Sequence, residues 1–207
     1  MGQEIIIKPA SPSHSDPANK LIYSTGDYFF DYLFSYEQEK IFQLLKILFE
    51  KNKGIFSHKF AEVAEFDGKI VGLEVGYALK DKKVHQFFND AYIIKRHNPI
   101  QVAKMIYRNY QIDKFIKKLQ PDSYYIANLA VMPEMQGKGI GGMLLENAFK
   151  KAKLKNYNNC FLDVSINNKL AIKFYEKYGF KIFKEIRNPK TEDKHGLHGQ
   201  YRLIKKL

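Results

Sequence analysis

The stretch NLAVMPEMQGKGIGGMLL (128–145) holds the residues best placed to do chemistry. It reads as a strand ending at Met132, a proline that cannot pair in a ladder, then Gly137, Gly139, Gly141 and Gly142 opening a helix. Glycines let a backbone approach a ligand closely. The unpaired N–H groups of a helix start, and the positive end of its dipole, then face one point. That combination suits a phosphate or pyrophosphate, and Lys138 adds a mobile positive charge. The plainer reading is a flexible turn with no ligand. Four glycines within six residues, directly ahead of an amphipathic helix, favour the phosphate.

Two familiar phosphate patterns do not fit. No glycine is followed by Lys and then Ser or Thr, so the P-loop is absent. G-x-G-x-x-G occurs as Gly137, Gly139 and Gly142, with Asp163 further on. The five residues MPEMQ before the first glycine are too many for the tight turn of a dinucleotide site, and the preceding chain is not βαβ. Elsewhere, the histidines at 14, 58, 85, 97, 195 and 198 are scattered, with no ligand set for a metal. No G-x-S-x-G elbow occurs. Cys160 opens an apolar strand and reads as a small buried hydrophobe. Basic and aromatic residues alternate in IYRNYQIDKFIKKL (106–119), a pattern that suits RNA but suits an amphipathic helix with a solvated lysine face better.

These residues need elements to hold them. EIIIK (4–8) is a first strand, followed by the turn-rich PASPSHSDP. Ser35 and Gln38 form a capping-box pattern ahead of Ile41, Leu44, Leu45, Leu48 and Phe49, one helix face that Gly54 ends. FAEVAEF and KIVGLEVGYAL, joined by Asp67-Gly68, signal a hairpin. Ile106, Tyr110, Phe115 and Leu119 suggest helices within 81–120. Strands follow at 123–132 and 160–165, with a helix at about 139–155 between them. Asn168 caps a further helix with Ala171, Phe174, Tyr175 and Tyr178 on one face, and Gly179 ends it. FKIFKEI and QYRLIKK close the chain as strands. This order predicts a single α/β domain over 1–207, built on a mixed, mainly antiparallel sheet.

Composition agrees. The 207 residues are 45% hydrophobic and 27% charged, which excludes global disorder. No apolar run reaches the roughly 18 residues of a membrane span; IFQLLKILF is interrupted by Lys46. MGQEIIIKPAS lacks a basic n-region, and Ile6 stands where a myristoylation signal wants Ser or Thr. One cysteine excludes an internal disulfide framework. A cytoplasmic protein is expected. The net charge of +12 favours anionic partners without choosing among them.

Gln136-Gly137-Lys138-Gly139-Ile140-Gly141 resembles the Q/R-x-x-G-x-G/A acetyl-CoA signature of the GNAT acyltransferases, with Val131-Met132-Pro133 matching the V-x-P before it. Asn168-x-x-Ala171-Ile172-x-Phe174-Tyr175-Glu176-Lys177-x-Gly179-Phe180 is similar to a second block of that family. The resemblance covers about 123–187 and implies a GNAT-type twisted sheet flanked by helices, with 81–120 inserted between two strands. It implies that Leu129, Ala130 and Val131 pair with the pantetheine arm. The amides of Gly137, Lys138, Gly139, Ile140, Gly141 and Gly142, beside Gln136, would hold the pyrophosphate. Asn168 would hydrogen-bond the CoA arm, and Tyr175 would protonate the departing thiolate. By periodicity alone, Tyr175 is a core aromatic. The implied reaction is attack of a neutral primary amine on the acetyl thioester, with a backbone N–H near Val131 stabilising the oxyanion. Strand 123–132 carries no carboxylate to act as base. Asn128 positions at most a water, and Glu74 and Glu62 are alternatives. The acceptor is a small-molecule amine or a protein amine. No metal, membrane or nucleic acid is expected, and a homodimer stays open. Two rival readings are an acyl-CoA sensor without turnover, and a nucleic-acid binder whose affinity would fall steeply with salt.

Overall fold

The computed structural model describes residues 4–113, 122–187 and 199–207. In chain order its elements are β1 (Ile6–Pro9), α1 (Ser15–Ser24), α2 (Asp27–Phe34), α3 (Gln38–Glu50), β2 (Ala61–Phe66) and β3 (Lys69–Ala78). Then come α4 (Lys82–Ile94), α5 (Pro99–Asp113), β4 (Ser123–Val131), α6 (Ile140–Leu154), β5 (Asn159–Ser165), α7 (Lys169–Lys177), β6 (Lys181–Ile186) and β7 (Gln200–Lys206). The strands form one seven-stranded sheet in the order β1-β2-β3-β4-β5-β7-β6. Every pairing is antiparallel except β4 with β5. The mixed, mainly antiparallel sheet predicted from the order of elements is therefore the one observed.

Local sequence explains most of the elements. Asp67 and Gly68 both take positive φ (51° and 71°), as a type I′ hairpin turn demands. Helix α3 buries Ile41, Leu44, Leu45, Leu48 and Phe49, the predicted face. Its start differs from the Ser35 cap. Ser35 adopts a left-handed conformation (φ 50°), and its N–H bonds Asp31 O at 2.8 Å, closing α2 instead. Within the 81–120 region, helices α4 and α5 cover the described residues Lys82–Ile94 and Pro99–Asp113. Of the residues that signalled helix there, Ile106 and Tyr110 are exposed, while Met105 carries the buried contact. Phe115 and Leu119 lie outside the described residues, as do His195 and His198.

The sheet is covered on both faces. Ile22 of α1 and Leu45 and Phe49 of α3 bury Leu73 and Val75 of β3 from one side. Leu145, Ala148 and Ala152 of α6 bury Tyr124, Ile126 and Leu162 from the other. Gly72 lets α6 come close: a Cβ there would stand 3.1 Å from Leu144 Cδ1. A buried ion pair locks β5 to β7, with Arg202 donating to both Asp163 oxygens (2.7 and 2.6 Å) and the Tyr125 hydroxyl adding a third bond at 3.0 Å. Among the described residues, no helix is long and apolar enough to cross a membrane.

Candidate functional site

The parallel β4–β5 ladder is short. It pairs Ser123 with Asn159, Tyr124 with Cys160 and Tyr125 with Phe161, and then stops. Beyond it, Ile126–Val131 keeps β3 on one side, where Leu129, Ala130 and Val131 face Glu74, Leu73 and Gly72, and among the described residues it has no ladder partner on the other. The two strands part along their C-terminal halves, where they no longer pair. Outward-facing backbone groups on such a free edge bind an extended chain as an added strand would.

Because β4 and β5 are parallel, α6 and α7 both begin at this edge. The glycine turn fixes the start of α6. Gly137 and Gly139 sit at φ 78° and 80°, and a Cβ on either would meet nothing within 4 Å. Backbone conformation, not crowding, demands glycine there. The first helical bond runs from Met143 N to Gly139 O (3.1 Å), so the amides of Ile140, Gly141 and Gly142 precede the hydrogen-bonded ladder. Gln136 Nε2 donates to Val131 O at 3.1 Å, tying the turn to the end of β4. Lys138 Nζ lies 3.2 Å from Met135 Sδ.

The other two glycines serve packing. A Cβ on Gly141 would touch Phe174, and one on Gly142 would stand 1.9 Å from the Tyr178 hydroxyl. Helix α7 thus crosses directly over the start of α6. Asn168 caps α7, its Oδ1 accepting from Ala171 N at 3.0 Å, which leaves its amide protons for another partner. Tyr175 is half-buried against Phe174 and Phe180, with ring centroids 5.2 and 5.7 Å away. Burial, with a smaller effect of nearby Cys160, pushes its phenol above the ordinary tyrosine range, so it keeps its proton.

The alternative bases fare differently. Glu74 is fully buried under α6; Tyr124 donates to one oxygen (3.1 Å), and Lys151 approaches the other (3.4 Å). Burial raises its pKa to about 7, against the pull of Lys151 and the Tyr124 hydrogen bond. Glu62 shares Lys151 at 3.2 Å. Both carboxylates are engaged beneath α6, so neither faces the parted strands. Asn128 points to the opposite face. Its Nδ2 donates to Thr25 Oγ1 (2.7 Å), which donates to Ile22 O (2.7 Å). The single hydroxyl proton is spent on that carbonyl, which fixes the amide's orientation.

A feature that sequence reasoning missed sits beside Asn128. The β3–β4 register slips between Val75/Asn128 and Gly76/Ile126, leaving Ala127 with no residue opposite. This β-bulge lies just where β4 has left β5. No residue type marks it, since register is set by pairing.

The chain matches the Acetyltransferase (GNAT) family model over residues 22–180 and belongs to that family. It is 41% identical over 59 residues to the probable N-acetyltransferase san of Drosophila melanogaster, a stretch covering 28% of this chain and 32% of that one. The chain spans 31% to 41% of the length of the curated relatives it matches. Its fold is shared with an N-acetyltransferase from Staphylococcus aureus Mu50 (TM-score 0.72, 19% identity, covering 97% of this chain and 100% of that one). It is also shared with a GNAT family acetyltransferase from Elizabethkingia anophelis with acetyl-CoA bound (TM-score 0.57, 19% identity, 98% of each chain).

Proposed function

We propose that the protein transfers an acetyl group from acetyl-CoA to a primary amine, carried by a small molecule or a protein. The observation that carries this is the parted β4–β5 edge with a glycine-built helix start at its end. A pantetheine arm is an amide chain that fits a strand edge, and its pyrophosphate fits a ring of unpaired amides. In this reading Leu129, Ala130 and Val131 bind the arm. Gln136 holds the turn to Val131, and the amides of Gly137, Lys138, Gly139, Ile140, Gly141 and Gly142 receive the pyrophosphate. Asn168 offers its free amide protons to the arm. Residues 123–187 are the cofactor core of one domain, and α4 and α5 belong to an insertion over 81–120.

The acceptor amine attacks the thioester carbonyl. The carbonyl oxygen gains charge, and a backbone N–H near Val131 donates to it. The thiolate of CoA leaves and takes the proton of Tyr175, and the proton that the acylated nitrogen sheds to solvent restores the phenol. No carboxylate is assigned as base, since Glu74 and Glu62 are held by Lys151 and Tyr124. A cytoplasmic setting fits a chain whose single cysteine is free and buried.

The test is purified protein with acetyl-CoA and a panel of small amines, N-terminal peptides and lysine peptides, with released CoA measured as free thiol. Thiol release that depends on an amine is the expected result. Acetyl-CoA at 100 times its Kd should add about 2.7 kcal/mol of stability, and NAD and ATP less. Tight acetyl-CoA binding with no turnover of any amine would favour a sensor. Equal stabilisation by NAD or ATP would overturn the cofactor assignment.

A further inference from the structure

Between the α2–α3 junction and the α4–α5 junction lies a cavity of about 380 Å³, lined by Tyr36, Lys40, Leu44, Arg96, His97 and Gln101. Helices α1 and α3 cover the sheet face opposite α6, so the cavity is separate from the glycine turn. Its size is at the small end of ligand sites.

Most of the polar groups lining it can donate. After the left-handed Ser35, the Tyr36 ring stacks between Phe34 (6.1 Å) and His97 (5.5 Å). The Tyr36 hydroxyl is buried and, among the described residues, has no hydrogen-bond partner. Such a group calls for an explanation. His97 Nδ1 lies 2.6 Å from Ile93 O, a group that only accepts, so Nδ1 carries the proton and Nε2 is an acceptor; the ring serves as the wall against which Tyr36 stacks. Arg96 lies over the Tyr92 ring, 4.6 Å from its centroid, which leaves the edges of its guanidinium plane open. Gln101 Oε1 accepts from Asn98 N in a reciprocal cap of α5, so its Nε2 protons remain. Lys40 pairs with Glu37 at 3.3 Å, a highly exposed contact that solvent screens. The positive end of α5 opens at the same place. Leu44 supplies an apolar wall.

We propose that this cavity binds a small organic anion whose carboxylate or phosphate is held by Arg96, Lys40, the Tyr36 hydroxyl and the Gln101 amide protons, with its apolar part against Leu44. It is an anion site distinct from the β4–β5 edge, built jointly by α3 and the α4–α5 segment.

The test holds CoA saturating, so that the glycine turn is occupied, and titrates inorganic phosphate and succinate separately at fixed ionic strength. The readout is melting temperature. Arg96 and Lys40 are exposed, so Arg96→Gln and Lys40→Gln should fold normally. In the wild type at least one anion should raise the melting temperature saturably. Its half-saturation should rise roughly tenfold or more in Arg96→Gln, the cost of one charge-assisted bond. Lys181→Gln, on the far β6 edge, removes the same charge and should leave the titration unchanged. Response to phosphate alone or succinate alone supports the site and identifies the head group. No saturable response to either anion, or equal weakening in Lys181→Gln, would overturn it.

Discussion

Replacing Tyr175 by Phe removes a single hydroxyl. The ring contacts with Phe174 and Phe180 stay, and the hydroxyl makes no hydrogen bond among the described residues. Stability should therefore change by no more than about 1 kcal/mol. Turnover should fall by roughly 10²–10⁴ if the phenol protonates the leaving thiolate, which is about 3–5 kcal/mol of barrier. The loss should appear equally in kcat and kcat/KM, because the proton moves only as the thioester breaks. Acetyl-CoA affinity should be unchanged. The sign of the pKa shift adds a check. Burial holds the phenol above its ordinary value of about 10, so it remains a proton donor across the neutral range. Wild-type kcat should then show no alkaline loss from this group below about pH 10. The assay is steady-state CoA release with an acceptor from the amine panel, beside urea unfolding of both proteins. Full activity in the Phe variant would return Tyr175 to a plain core aromatic. A parallel drop in stability would mean that the hydroxyl has a structural task.

Gly139→Asp should fold, since a Cβ there meets nothing, at a strain of about 1 kcal/mol for its positive φ. Its carboxylate would face the pyrophosphate, so acetyl-CoA affinity should drop at least roughly tenfold by isothermal titration; unchanged affinity would reduce the turn to a turn. Glu74 is protonated more readily folded, at about 7, than unfolded, at 4.5. The wild type should therefore lose about 3 kcal/mol of stability as pH rises from 4.5 to 7, and Glu74→Gln should lack that loss in urea melts. A difference between the two proteins that stays flat over that window would contradict the burial argument. Arg202→Met strands Asp163 in the core and should cost about 3–5 kcal/mol, measured the same way; a loss under about 1 kcal/mol would mean that Asp163 finds solvent.

What the sequence determined by itself is local. The Asp67-Gly68 hairpin, the buried face of α3, the Asn168 cap and the glycine turn each depend on residues within about ten positions of one another. Backbone preference, capping and helical periodicity therefore sufficed to read them. The order of strands and helices likewise implied a mixed sheet in one domain. Tertiary structure decided the rest. Ser35 closes α2 rather than opening α3 because its own N–H bonds Asp31 O, and a capping pattern does not say which helix it serves. Glu74 and Tyr124 are 50 positions apart, and only strand pairing buries them together beneath Lys151. The parting of β4 from β5 after three residue pairs and the bulge at Ala127 are matters of register. Register is fixed by which side chains fit beneath α1 and α6, a condition on the packed sheet that no residue in the strand declares alone.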